Sequence, residues 1–348
     1  MTAFSCPLPA SGSDRVLLGH GSGGQLSANL MRQIFLPHFT HPALHRQDDQ
    51  AVVNCGGARL AFTTDTFVVK PLFFRGGDIG SLAVHGTIND LAMGGATPLF
   101  LSVAMIIEEG LPMETLKRIT RSLAQAADAA GVAVVTGDTK VVERGSGDGL
   151  FLNTSGIGLM PEGLTLSAAQ ARPGDVILLS GPVGDHGMAI MAEREGLEFE
   201  TELASDSAAL HTLAAAMLDA VAQGEIRCMR DPTRGGLSSA LNEIAGMARV
   251  GMRLRDEWIP VRPAVRAACE MLGLDPLYVA NEGKVIAIVA PDGADAVLAA
   301  MRAHPLGLDA ARIGTVAAAH PGLVLLETSL GTNRVLDMLS GDQLPRIC

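Results

Sequence analysis

Aspartates stand where apolar segments give way to turns, and that placement is the first sign of chemistry. Asp48 and Asp49 precede the apolar run 51–53, Asp65 closes another in TTD, and Asp90 follows Asn89 in a helical stretch. Asp138 ends VAVVTGD and Asp231 opens DPTRGG. Carboxylates from separate elements that converge in space suit Mg²⁺, which takes oxygen ligands, keeps several waters and bridges phosphates through a few carboxylates. Taken singly, each aspartate is equally a helix cap or a turn former.

Other segments carry groups of different kinds. GHGSGG (19–24) exposes backbone N–H groups that could cradle phosphate oxygens ahead of a helix, although no GK[ST] follows to make it a Walker A loop. In TGDTK, Lys140 lies two residues beyond Asp138, within reach of the same ligand; a solvated lysine is the plain alternative. In NEGK, Glu282 precedes the apolar strand KVIAIVA, where a carboxylate serves as a general base or simply as a turn residue. His20, His85 and His186 have no nucleophile beside them in sequence and read as structural. The chain ends in PRIC, so Cys348 could be carried into a site on an extended, mobile arm and be modified by a partner. The adjacent carboxylate disfavours its thiolate, with Arg346 a partial counterweight.

These groups must be held by regular elements. Apolar spacing predicts helices over 25–35, 78–93 (capped by Asp78), 112–130, 184–194, 205–222 and 235–248. Strands are expected at 51–53, 60–64, 99–107, 132–138, 150–160, 251–255, 285–290 and 322–327, with another in ARPGDVILLSG. The Pro-Gly turn in that last segment marks a fresh start. The expected units are therefore an N-terminal segment 1–40 with the glycine loop, a domain 41–165, an α/β domain 166–335 and a mobile tail 336–348.

Composition bounds the rest. The 348 residues are 48% hydrophobic, enough for a sizeable core in two domains, and only 3% aromatic, so that core rests on aliphatic side chains. A formal net charge of −11 and the lack of Lys/Arg blocks speak against a nucleic-acid partner. Cysteines at 6, 55, 228, 269 and 348 form no CxxC pattern, which fits a reducing cytoplasm. The N-terminus shows no signal peptide, and the uncharged stretch 91–107, interrupted by Gly94, Gly95 and Pro98, is too short to span a membrane.

The segments GHGSGG, TTDTFVV, GGDIGSLAVHGTINDLAMGGATPLFLS, EEGLPMETLK, TGDTKVVERG, DPTRGGL, NEGK and LPRIC together resemble the hydrogenase maturation factor HypE family. That family belongs to the superfamily of aminoimidazole ribonucleotide synthetase, selenophosphate synthetase and thiamine-monophosphate kinase. The TTD, ND, GD and DPT elements point only to ATP with Mg²⁺, whereas TGDTKVV and the terminal PRIC are specific to HypE. The resemblance implies a two-domain α/β fold of the aminoimidazole ribonucleotide synthetase type. Its N-terminal sheet would form a homodimer, with ATP near the interface.

By the same resemblance, Cys348 receives a carbamoyl group from HypF. ATP then dehydrates the S-carboxamide to a thiocyanate, passed as cyanide to iron on a HypC–HypD scaffold. Position by position, it implies Asp49, Asp65, Asp90, Asp138 and Asp231 at metal, with QDDQAVV leaving Asp48 an alternative to Asp49. Gly21, Ser22, Gly23, Gly24, Asn89, Asp138 and Thr139 would surround the nucleotide, and Lys140 and Glu282 would assist proton removal. A small-molecule kinase or synthetase of the superfamily, or a non-catalytic ATP-binding scaffold, are the other readings.

Overall fold

In the computed structural model, residues 15–196, 203–339 and 347–348 are described. After a short α1 (Gln25–Leu30), which continues as a π-helical turn, and α2 (Pro42–His45), the first half builds one sheet. Its strands are β1 (Ala51–Cys55), β2 (Ala58–Phe67), β5 (Thr97–Glu108), β6 (Ala133–Val142) and β7 (Leu150–Leu159), in the order β1-β2-β7-β5-β6. Between β2 and β5 lie a small hairpin, β3 (Phe73–Phe74) with β4 (Gly77–Asp78), and helix α3 (Ile79–Met93). Helix α4 (Met113–Ala129) then crosses over to β6, which runs parallel to β5.

Asp78 starts α3 as the sequence predicts, its carboxylate accepting from the Gly80 and Ser81 N–H groups at 2.8 and 3.1 Å. Most of α3 is buried because both its faces are covered, one by the sheet and the other by α4 and the second half. The opposite face of the sheet stays open. Ile157 on β7 pairs with Phe62 on β2 and Phe100 on β5, and all three are exposed in one apolar row. Beside them β6 is an edge strand exposed along nearly its whole length, with Val134, Val135 and Val141 facing outward.

The second half packs helices on both faces of a seven-stranded sheet of order β14-β13-β10-β12-β8-β11-β9. In chain order it comprises β8 (Val176–Leu179), α5 (Asp185–Glu195), α6 (His211–Asp219), β9 (Ile226–Arg230), α7 (Gly236–Ala248) and β10 (Gly251–Arg255). There follow α8 (Pro263–Leu272), β11 (Ile286–Val289), α9 (Ala294–Ala303), β12 (Ala311–Ala317), β13 (Val324–Glu327) and β14 (Asn333–Val335). Strands β9, β12 and β14 and helices α8 and α9 are additions to the sequence-based reading. The short, charge-flanked IRCMR hides β9 from any alternation rule.

The start of the expected mobile tail is tied down. Leu336 is buried in the second half's core, and the carbonyls of Leu336 and Asp337 accept from Asn242 Nδ2 and Ser238 Oγ on α7 at 2.7 and 2.6 Å. Pro345 and Arg346 lie outside the described residues. At the chain end Ile347 is buried against the first half's core and Cys348 is partly buried beside it.

Candidate active site

Period-2 alternation puts Thr63 and Asp65 on the helix-facing side of β2. Helix α3 comes down on them through Gly86, where an added Cβ would lie 2.8 Å from the Phe67 ring, and Asp90 stands one turn further on the same helix face. The Thr63 hydroxyl lies 2.7 Å from Asp90 Oδ2 and 3.0 Å from the Asp49 carbonyl, so β2 joins the helix to the loop that enters β1. Asp49 faces inward to Arg230 at 3.3 Å, while Asp48 turns away to Ser167 Oγ at 3.1 Å. Of that pair only Asp49 joins the cluster.

The second half meets this surface with two loops that leave neighbouring strands at one sheet end. Arg230 of β9 pairs with Ile286 of β11, so the loop after β9 (Asp231) and the loop before β11 (Glu282) emerge side by side. Asn281 staples them, its N–H and its Nδ2 both donating to the Pro232 carbonyl at 3.1 and 2.9 Å. Carboxylate oxygens of Asp49, Asp90 and Asp231 then lie within 4.8 Å of one another. Asp65 and Glu282 are close enough to add to the same negative field.

Burial, compounded by this crowding, sets the protonation behaviour. It raises the Asp49 carboxyl to about 6 despite Arg230, and Asp231 to about 8 with Asp49 adding. Asp90 is pushed well above the usual range by burial first, then by Asp231, Asp65 and Asp49. Glu282, 2% exposed, is likewise raised by burial and by Asp231, and its Oε1 has no hydrogen-bond partner among the described residues. Like charges held this close call for a counter-cation, and an all-oxygen set of this kind suits Mg²⁺ rather than a softer metal.

Cys348 enters the same field. Burial pushes its thiol up, Arg234 opposes that, and Glu282, Asp65 and Asp231 add to it. Val68 N–H donates to Cys348 O at 2.9 Å, and His186 Nε2 lies 2.8 Å from the Ile347 carbonyl. Arg234 also donates to the Gly21 carbonyl at 3.1 Å, which brings the glycine loop to the cluster. Gly24 has to be glycine, since a Cβ there would stand 2.2 Å from the Leu339 carbonyl. Within that loop the Ser22 hydroxyl donates to Gly19 O at 2.8 Å and Gly23 N–H to Ser27 Oγ at 3.0 Å.

The remaining residues singled out in the sequence sit outside the carboxylate cluster itself. Asn89 is fully buried and spans the two halves: Nδ2 donates to the Ala208 and Glu282 carbonyls at 3.0 and 3.2 Å, and Oδ1 accepts from Leu210 N–H at 2.8 Å. Both its amide hydrogens are thus spent within the chain, so in this structure it ties the domains together. Asp138, Thr139 and Lys140 lie on the exposed edge strand β6, apart from the cluster within one chain. Lys140 Nζ donates to Asp138 Oδ2 at 2.7 Å, which holds that carboxyl below its usual range.

Two residues about the site are unassigned in the sequence reading, and a third, His186, reads there as structural. Arg234 stands in the DPTRGG motif, a signal that was available. Asp206 accepts Glu282 N–H at 3.0 Å and Lys284 Nζ at 2.9 Å, yet LASDSAAL has no pattern to mark it. His186 lacked a partner in sequence because its partner is the chain end.

Family models for AIR synthase related protein match residues 47–160 (N-terminal domain) and 172–325 (C-terminal domain). A carbamoyl dehydratase HypE of Rhizobium leguminosarum bv. viciae is 56% identical over 334 residues, covering 96% of this chain and 95% of that protein. The chain belongs to the carbamoyl dehydratase HypE family. A HypE structure in a HypE–HypF complex aligns with TM-score 0.84 at 47% identity, over 89% of this chain and 99% of that one. A HypE structure in complex with ATP aligns with TM-score 0.80 at 49% identity, over 96% and 100%. The two halves are thus AIR synthase-like domains. Among the described residues no helix is long and apolar enough to cross a membrane.

Proposed function

We propose that this HypE-family chain dehydrates the S-carboxamide carried on its own Cys348 to a thiocyanate at the expense of ATP, supplying cyanide for [NiFe]-hydrogenase maturation. One observation carries the reading: the chain end is seated between the two halves, Val68 N–H donating to Cys348 O at 2.9 Å and His186 Nε2 lying 2.8 Å from the Ile347 carbonyl, which brings Cys348 beside the acidic cluster and Arg234. A free-substrate kinase has no use for a chain-end thiol there.

The carboxamide oxygen is a poor leaving group. Its attack on the γ-phosphorus of ATP releases ADP and makes that oxygen part of a phosphate ester. Two N–H protons and the C–O bond are then lost, giving S–C≡N and inorganic phosphate. Glu282, buried with one oxygen unpartnered among the described residues, is the base for the nitrogen. Asp206 fixes the Glu282 main chain from behind. Arg234, facing both Cys348 and the carboxylates, is placed to balance negative charge as it develops. Asp49, Asp90 and Asp231, with Asp65 beside them, would hold Mg²⁺, which when bound neutralises triphosphate charge. Burial of the thiol end excludes water that would otherwise hydrolyse ATP.

The proposed homodimer uses the open face of the first sheet. An exposed apolar face flanked by a bare edge strand is a recognised signature of association. Association would set Asp138, Thr139 and Lys140 at a subunit boundary near ATP, where Lys140 could assist proton removal. HypF supplies the carbamoyl group and a HypC–HypD scaffold receives the cyanide, in the cytoplasm. The free state of Cys55, Cys228, Cys269 and Cys348 accords with that location. Incubation with MgATP, carbamoyl phosphate and HypF tests the reading by mass spectrometry of the C-terminal peptide. An ATP-dependent loss of one water from carbamoylated Cys348 is expected; an unmodified Cys348 beside active HypF sinks it.

A further inference from the structure

We infer that His186 is a positioning residue for the reaction: it grips the Ile347 carbonyl and thereby aims the Cys348 thiol, while Ser205 holds its other ring nitrogen. The inference rests on the reading of Cys348 as the carrier. His186 is fully buried in the first turn of α5. A carbonyl only accepts, so Nε2, at 2.8 Å from Ile347 O, must be the protonated nitrogen. Nδ1 then accepts from Ser205 Oγ at 2.7 Å. The serine is itself held, its N–H donating to Arg75 O at 2.8 Å and its Oγ accepting from Ser207 N–H at 3.1 Å. The Phe74 ring meets the imidazole edge-on at 5.6 Å, so the ring has one orientation.

The chain end is thus gripped by both domains. The second half holds Ile347 O through His186, the first half holds Cys348 O through Val68 N–H, and the Ile347 side chain is buried in the first half's core. Of these contacts His186 alone is a side-chain donor supplied by a third segment. A histidine needed only for packing would not spend its Nε2 proton on the penultimate carbonyl. The next residue after Ser205 ties this to the base, because Asp206 accepts Glu282 N–H. Residues 205–206 therefore locate thiol and base together.

The test uses the full chain. Iodoacetamide alkylation of Cys348 is followed by peptide mass, with exposed Cys55 as internal reference. His186→Phe keeps a ring against Phe74 but removes the donor, and His186→Gln restores a donor near the Nε2 position. His186→Phe is expected to alkylate Cys348 about fivefold faster than wild type, the factor that one net hydrogen bond supplies. His186→Gln should return toward the wild-type rate. In the HypF-coupled assay kcat should fall in His186→Phe with the KM for ATP unchanged, and recover in His186→Gln.

Unchanged alkylation in His186→Phe overturns the grip, and a rise that His186→Gln fails to reverse does so too. A rise with kcat unchanged overturns the positioning role. Should His186→Phe fail to fold, Ser205→Ala carries the same comparison with a smaller rise. If wild type performs no dehydration the functional reading fails, and the alkylation series still decides the grip.

Discussion

Asp231 and Asp138 are carboxylates of the same kind under opposite conditions. Asp231 is 7% exposed, surrounded by Asp49 and Asp65, and its carboxyl is raised to about 8. Asp138 has a side chain 67% exposed, is bonded to Lys140, and is held below its usual range. The buried set cannot ionise fully without a counter-charge, which is how a protein prepares a place for cations and the phosphates they bring. The edge-strand pair is already satisfied by solvent and a lysine, and acquires a role only if another surface covers it.

Substitutions can break that contrast. The largest expected effect is in the buried set, where Glu282→Gln should slow single-turnover dehydration by about 1000-fold while leaving Cys348 carbamoylation intact. Full retention of the rate removes Glu282 as the base. Next, Lys140→Ala should cost roughly 100-fold in the same assay, yet leave the unfolding midpoint where it was, because the pair it breaks is exposed. An unchanged rate would leave Asp138 and Lys140 a solvated ion pair. Val135→Asp on the exposed edge strand β6 should convert the proposed dimer to monomer in light scattering, and dehydration should drop with it by about tenfold. A dimer that persists puts the interface elsewhere.

The smallest effect is thermal. Asp231, with a folded value near 8 against an ordinary 3.8, contributes stability when protonated, and that contribution is lost as pH rises toward 8. Chelator-treated protein should therefore melt a few degrees lower at pH 8 than at pH 5, and added Mg²⁺ should raise the midpoint more at pH 8. A Mg²⁺ response equal at both pH values would argue against the cluster as the cation site.

Much of this organisation is legible in the residues themselves. Helix α3 declares itself by apolar spacing and the Asp78 cap, and β10 runs over 251–255 as the alternation predicts. TTD, ND and DPT mark residues that the fold does bring together. What escaped is whatever depends on long-range partners. The exposure of Asp138 follows from β6 being an edge strand, and no local pattern distinguishes an edge from a centre. The absorption of the Asn89 amide follows from backbone groups more than a hundred residues away. Helix 205–222 shortens to 211–219 because 205–207 are used to hold His186, Glu282 and His85.

Asn89 also bears on how the two halves can move. Its amide bolts α3 to the backbone at 208–210 and to the turn that carries Glu282, and its neighbour in sequence is Asp90. A hinge between the halves that kept this bolt would pivot about it, since opening there would strand three buried hydrogen-bonding groups at once. Rotation about a pivot displaces distant points most and adjacent points least. Under such a hinge the spacing between Asp90 of one half and Glu282 of the other would be the dimension least altered, and the proposed reaction centre would sit at its still point.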